Sequence, residues 1–291
     1  MKNRHTMYLY IFILPGIIGF LFFQLLPILW AFVLSLYKYN GIAKQIFVGL
    51  DNYASMFGDP RYWQALWNTL FMLIFQLPVN LIVALLLALL LNSKLRGVTL
   101  FRGIFYVPTL MPQVATAIIV LMLLSNKYGY VNKMLGLLGL GPVDWLFDPH
   151  IVKFSLVFIG IWSVGRAMII YLAGLQSISP SYYESAEIDG ARGLRKFTGI
   201  TLPLLTPSIL YNLIIEATFI FQLFTPSFII TSGGPDGAST FYVYKLYLDG
   251  FRYSKLGLAS AEAVILFVIM LIFTFISMKS SNSWVHYEGG E

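Results

Sequence analysis

The chain has 291 residues, of which 58% are hydrophobic, 16% aromatic and only 11% charged. Soluble domains carry roughly a quarter charged residues, so this chain cannot cover a globule with polar surface, and its solvent is a bilayer. The absence of cysteine excludes disulfides and thiolate metal sites, three scattered histidines (His5, His150, His286) speak against a metal cluster, and a net charge of +6 fits anionic lipid and is too diffuse to suggest nucleic acid.

A helix needs about 20 mostly apolar residues to cross a bilayer. Six runs qualify: 8–37, 66–91, 101–124, 153–176, 206–230 and 259–280. The fold class is therefore all-α, a polytopic membrane protein with six transmembrane helices. Lys2 and Arg4 precede the first run in the manner of a signal peptide, but the apolar stretch continues past a usual signal core and lacks a small-x-small cleavage site. Pro15 and Pro27 are placed to kink that first span. With the N-terminus inside, Lys and Arg number nine on each side, so the tally alone does not orient the chain. The inner basic residues are more clustered (Arg192, Arg195, Lys196), which favours cytoplasmic termini. The outer segments carry turn-rich sequence such as GPVDWLFDP (141–149) and TSGGPDGAST (231–240). The second of these reads first as a tight Gly-Pro turn and otherwise as a contact for a partner.

Between the fourth and fifth runs lies a polar, charged loop, residues 177–205. Ser179-Pro180 offers an N-cap and a proline at the first helical position, and Ser181 with Glu184 fits a capping box. A first short helix is expected to reach Asp189 and stop at Gly190. A second is expected over Arg192–Thr201, with Pro203 either ending it or opening the next span. The pair reads as two short helices meeting at an angle, presenting Glu184, Glu187 and Asp189 beside the basic trio. On residues alone this reads first as a capped amphipathic connector lying in the headgroups, with Glu184 satisfying its own helix.

The string Glu184-Ser185-Ala186-Glu187-Ile188-Asp189-Gly190-Ala191, followed by Ile200, Leu202 and Pro203, resembles the EAA loop of binding-protein-dependent ABC importer permeases. The departure is Ser185 where that family usually has alanine, and a small residue is kept. Further similarity covers VGLDNYASMF (48–57), ALWNTL (65–70), FRGIFYVP (101–108), LAGLQSISP (172–180), TSGGP (231–235), LGLASA (256–261) and WVHY (284–287). Together these look like the MalF-type carbohydrate permeases, in their shorter six-helix form. The resemblance implies a single permease domain over 1–291, with a coupling loop at 177–205. It implies that Glu184, Ser185, Ala186, Asp189, Gly190, Ala191, Ile200 and Pro203 meet an ATPase. In that picture Glu184 makes a charged contact, Gly190 permits the break, and Ala186 and Ala191 pack closely. It also implies a second homologous permease subunit, two ATP-binding cassette subunits, an extracytoplasmic solute-binding protein, a carbohydrate substrate and the bacterial plasma membrane. ATP and magnesium would sit on the partner subunits. This chain has no Gly-Lys pair from which a P-loop could be built, and it shows no recognisable catalytic motif, so it is read as a non-enzyme with no cofactor or metal of its own.

Ionisable groups at membrane depth are costly and usually face a cavity or a partner. Arg166 lies midway along the fourth run, Glu216 midway along the fifth, and Glu262 near the start of the sixth. Arg166 and Glu216 are expected either to form a packing ion pair or to face the substrate path together. Gln113, Tyr211, Asn212, Gln222 and Trp162, with Gln76 and Asn80, are of the types that bind sugars through amides, hydroxyls and flat aromatic faces. Each reads first as an interhelical hydrogen bond or packing residue and only then as a sugar contact. Two rival functions remain at this point. A stand-alone ion-coupled transporter would work without an ATPase, and a non-transporting scaffold would tolerate breakage of the loop. The identity of the carbohydrate is not written in these residues, although Arg166 hints at an acidic or phosphorylated solute.

Overall fold

The computed structural model describes residues 12–42, 44–93 and 96–286. The opening of the first expected span (8–11), Lys2, Arg4, His5, Lys94 and Tyr287 lie outside the described residues. Helix α1 covers Phe12–Leu34. A short antiparallel pair follows, β1 (Tyr37–Lys38) with β2 (Ile46–Phe47), in the register Tyr37↔Phe47. Then come α2 (Asp51–Phe57), α3 (Pro60–Leu91), α4 (Val98–Leu110), α5 (Gln113–Leu124) and α6 (Tyr130–Leu137). Next are α7 (Val152–Ser163), α8 (Gly165–Ser177), α9 (Pro180–Ile188) and α10 (Leu194–Thr231). The last helices are α11 (Tyr242–Tyr247) and α12 (Leu256–Ser281).

Four helices, α1, α3, α10 and α12, are each long and apolar enough to cross a bilayer. The third and fourth expected spans are bent pairs: α4 meets α5 at 101°, and α7 meets α8 at 48°. The first bend sits at Met111-Pro112, both extended. A proline cannot donate into a helix and pushes the residue before it out of the α region. The second follows a 3₁₀ turn at Ile161–Ser163. There Gly165 lets α8 approach α4 so closely that a Cβ would lie 2.3 Å from the Phe105 carbonyl oxygen.

The contacts divide the chain into two compact units, 1–62 with 245–269 and 63–244 with 270–291. In the first, Asn52 Nδ2 donates to the carbonyls of Ser35 (2.8 Å) and Tyr37 (3.0 Å), tying α2 back to the hairpin. Gly257 packs the start of α12 against the same strand: a Cβ there would sit 1.9 Å from Tyr37 O. A buried charge cluster lies in this unit. Lys245 Nζ reaches Asp249 at 2.6 Å, Glu262 at 2.7 Å and Asp59 at 3.4 Å. Burial works against the Lys245 charge, but Glu262 and Asp249 outweigh it and push its pKa up to about 12.

In the second unit, small residues let helices pack closely, as bilayer-embedded helices must. Ala84 and Ala88 of α3, Ala167, Met168 and Tyr171 of α8, and Leu205 of α10 form its buried core. Gly174 brings α8 onto α10, where a Cβ would lie 2.3 Å from Ser208 Oγ. Segment 231–240 is pinned by α3: Asn68 Nδ2 donates to Gly237 O (2.8 Å) and Thr240 O (3.0 Å), and Gln64 Nε2 to Asp236 O (2.8 Å).

Candidate functional site

Two features of the second unit concern function. The first is the elbow between α8 and α10. Ser179 is the N-cap of α9, with Pro180 at the first helical position. This corrects the expected capping box: Ser181 is already inside the helix, and its hydroxyl lies 2.9 Å from Ser179 Oγ. Glu184 is thereby left exposed on the first turns of α9. The C-terminus is a Schellman motif. The Gly190 N–H donates to Glu187 O (3.0 Å) and the Ala191 N–H to Ala186 O (2.8 Å), with Gly190 at φ +77°. Helix α9 ends at Ile188, with Asp189 as its cap, so Gly190 is where the chain turns.

The second expected short helix is not a separate element. After Gly193 (φ +48°) the helix starts at Leu194 and continues through Pro203 into the fifth span. A π-helical turn at Phe197–Thr201 carries it past the proline, whose ring would otherwise crowd the carbonyl four residues earlier. Two side-chain contacts brace the elbow across its bend. Tyr183 Oη lies 3.0 Å from Thr201 Oγ1, and Lys196 pairs with Glu187. Ser185, Asp189 and Gly190 are exposed, while Ala186, Ala191, Ile200 and Pro203 are half-buried. Ile188 and Leu194, 88% and 79% exposed, put two large apolar side chains beside the acidic ones.

The second feature is a cavity of about 360 Å³, within the range of about 300–1,000 Å³ usual for small-molecule sites. It is lined from α3, α4, α5, α7, α8 and α10 and their connections. Arg166 Nη2 and Glu216 Oε1 pair across it at 2.8 Å, with Glu216 5% exposed and Arg166 39%. The guanidinium also lies over Phe219, 3.7 Å from the ring centre. Gln113, Gln222, Trp162, Gln76 and Asn80 line the same space, and Gln113 Oε1 accepts from Thr225 Oγ1 at 2.8 Å. Two expected members do not line it. Tyr211 is exposed on another face of α10. Asn212 is buried and donates to Ala167 O at 3.1 Å, tying α10 to α8. Glu262 belongs to the Lys245 cluster of the first unit. That cluster joins residues far apart in the chain, and the pair Lys245 and Asp249, one helical turn apart, is its one local signal.

The family model described as "Binding-protein-dependent transport system inner membrane component" matches residues 80–286, which span both the elbow and the bent helices around the cavity. The chain belongs to this family. Among relatives of this permease, a "Probable ABC transporter permease protein YesP" of Bacillus subtilis (strain 168) is 38% identical over 287 residues, covering 97% of this chain and 93% of the relative. The "Trehalose/maltose transport system permease protein MalF" of Thermococcus litoralis is 33% identical, covering 96% of this chain and 95% of the relative. A chain in the crystal structure of a bacterial alginate ABC transporter, solved in complex with an alginate pentasaccharide-bound periplasmic protein, superposes with a TM-score of 0.84. It is 27% identical, with 96% of each chain covered. The permease is thus an inner-membrane component with several apolar helices.

Proposed function

We propose that this permease forms half of the translocation pathway of an ATP-driven sugar importer. In this reading the elbow at 177–205 receives movement from a separate ATPase, and the cavity around Arg166 and Glu216 carries the solute. One observation carries the reading: the elbow and the cavity are joined by a single helix. Helix α10 begins at Leu194, beside the turn, and holds Glu216 in the cavity wall. At 1.5 Å per residue these positions are about 33 Å apart along one rod. A displacement of α9 by a closing ATPase is passed through the braced elbow (Tyr183 to Thr201, Glu187 to Lys196) into the helix whose far part walls the cavity, as alternating access requires. Family membership favours this reading over an ion-coupled carrier or a scaffold, neither of which uses such an elbow.

The sugar assignment draws on relatives described as carrying trehalose, maltose and alginate. The assembly proposed is this chain with a second related permease, two ATP-binding cassette subunits that hold ATP and magnesium, and an extracytoplasmic solute-binding protein. It lies in the bacterial plasma membrane with both termini cytoplasmic. Glu184, with Ser185, Ala186, Asp189, Gly190, Ala191, Ile200 and Pro203, forms or supports the surface that docks in the ATPase.

Because the chain has no cysteine, single-cysteine chemistry is free of background from it. Ser185→Cys is expected to cross-link to the ATPase subunit in assembled transporter, with a yield that changes on nucleotide binding. Glu184→Lys is expected to abolish ATP-driven solute accumulation in proteoliposomes while leaving solute release from the binding protein's own pocket unaltered. Full accumulation by Glu184→Lys together with no cross-link at Ser185→Cys would overturn the reading.

A further inference from the structure

The charges in this chain's part of the cavity wall balance. Arg166 and Glu216 are the charged residues in its lining, and at 2.8 Å they cancel. Paired with Glu216, Arg166 gives the lining no net positive charge. Two amides in the lining carry a further signal. Gln76 is 6% exposed and Asn80 1%, yet Gln76 Oε1 and Asn80 Oδ1 have no hydrogen-bond partner among the described residues. Gly160 makes room for the first of them, since a Cβ there would sit 2.2 Å from Gln76 Nε2. A buried polar atom without a partner is costly, and such atoms mark places where a ligand completes the hydrogen bonding.

Resting on the reading of this cavity as the sugar path, we propose that it is built for uncharged polyhydroxylated solutes and discriminates against anionic sugars. Hydroxyl groups donate to the orphaned amide oxygens and accept from the guanidinium edge that Glu216 leaves open, and Trp162 offers a face for a sugar ring. The hydroxyls of any sugar can answer Gln76 Oε1 and Asn80 Oδ1, but a carboxylate adds a negative charge that the balanced lining does not compensate. If it took Arg166 from Glu216, it would strand a carboxylate that is 5% exposed. The structurally similar alginate importer is described as carrying an acidic polysaccharide, so the shared fold does not set the sign of the cargo.

The test uses the assembled transporter in nanodiscs and reads the intrinsic fluorescence of Trp162, with Trp162→Phe as the reference that isolates its signal. The probes are maltose and digalacturonate. The expected result is saturable quenching by maltose and none by digalacturonate over the same concentrations. Glu216→Gln leaves Arg166 uncompensated and should improve digalacturonate binding by about tenfold, while the double variant Arg166→Gln, Glu216→Gln restores neutrality and should return the preference to maltose. Digalacturonate quenching the unaltered protein as tightly as maltose would overturn the charge argument and leave the cavity as a sugar path. Quenching by neither would overturn the sugar path and this inference with it. The comparison of the two probes on the unaltered protein decides the matter even if a variant fails to assemble.

Discussion

The two ends of the Arg166–Glu216 pair are not equivalent, because Glu216 is almost wholly enclosed while Arg166 is 39% exposed to the cavity. Removing the arginine leaves a buried carboxylate with no counter-charge, which typically costs about 3–5 kcal/mol. Removing the glutamate leaves a cation that cavity water can reach, for a loss of about 1–3 kcal/mol. Arg166→Ala is therefore expected to lower the thermal midpoint of the purified protein more than Glu216→Ala does, and equal losses would mean that both groups are solvated. The types of these residues are legible in the sequence as ionisable groups in apolar runs. Their meeting is not, since it depends on how α8 packs against α10, and that packing is set by glycines such as Gly174. The choice among Tyr211, Asn212 and Glu216 is likewise out of reach, because it turns on helical phase: Tyr211 lies about 140° round the helix from Glu216. Asn212 shares the Glu216 side but is spent on the Ala167 carbonyl.

At the scale of elements, the elbow is the most legible part of the chain. Pro180 can start a helix, and a glycine that must adopt positive φ can end one, so α9 can be bounded from its residues. The second half departs from expectation because a proline usually marks a boundary, whereas here a π-helical turn lets the helix run on through Pro203. Gly190, at φ +77° with no atom within 4 Å of where a Cβ would stand, is constrained by backbone conformation and not by space. Gly190→Ala is expected to cost about 1 kcal/mol through the left-handed conformation alone. If the angle of the turn matters for coupling, ATP hydrolysis by the assembled transporter should persist while solute accumulation falls. An uptake rate equal to that of the unaltered protein would show that the bend tolerates reshaping.

At the scale of the whole chain, composition suffices for the bilayer, the all-α class and the approximate spans. It does not reveal that two of the runs are sharply bent, because Met111-Pro112 looks the same whether the chain kinks or breaks. Nor does it reveal the Lys245 cluster, whose carboxylates come from positions 59, 249 and 262. Lys245→Met would leave those three carboxylates without their common cation, and a loss of about 3–5 kcal/mol is expected in thermal unfolding. The folded pKa of Lys245 lies above its ordinary value, so its contribution is whole below about pH 10.5 and is lost only as pH rises through about 12. The difference between the two proteins should accordingly persist from about pH 8 to about pH 10.

The unbroken course of α10 from the elbow has a geometric consequence. A helix transmits twist as well as thrust, and each residue along it sets a rotation of about 100°. The chain length between Gly193 and Glu216 thus fixes the azimuth at which the carboxylate meets Arg166. In the proposed mechanism, inserting or deleting one residue in this stretch would swing the carboxylate by about 100° away from its partner.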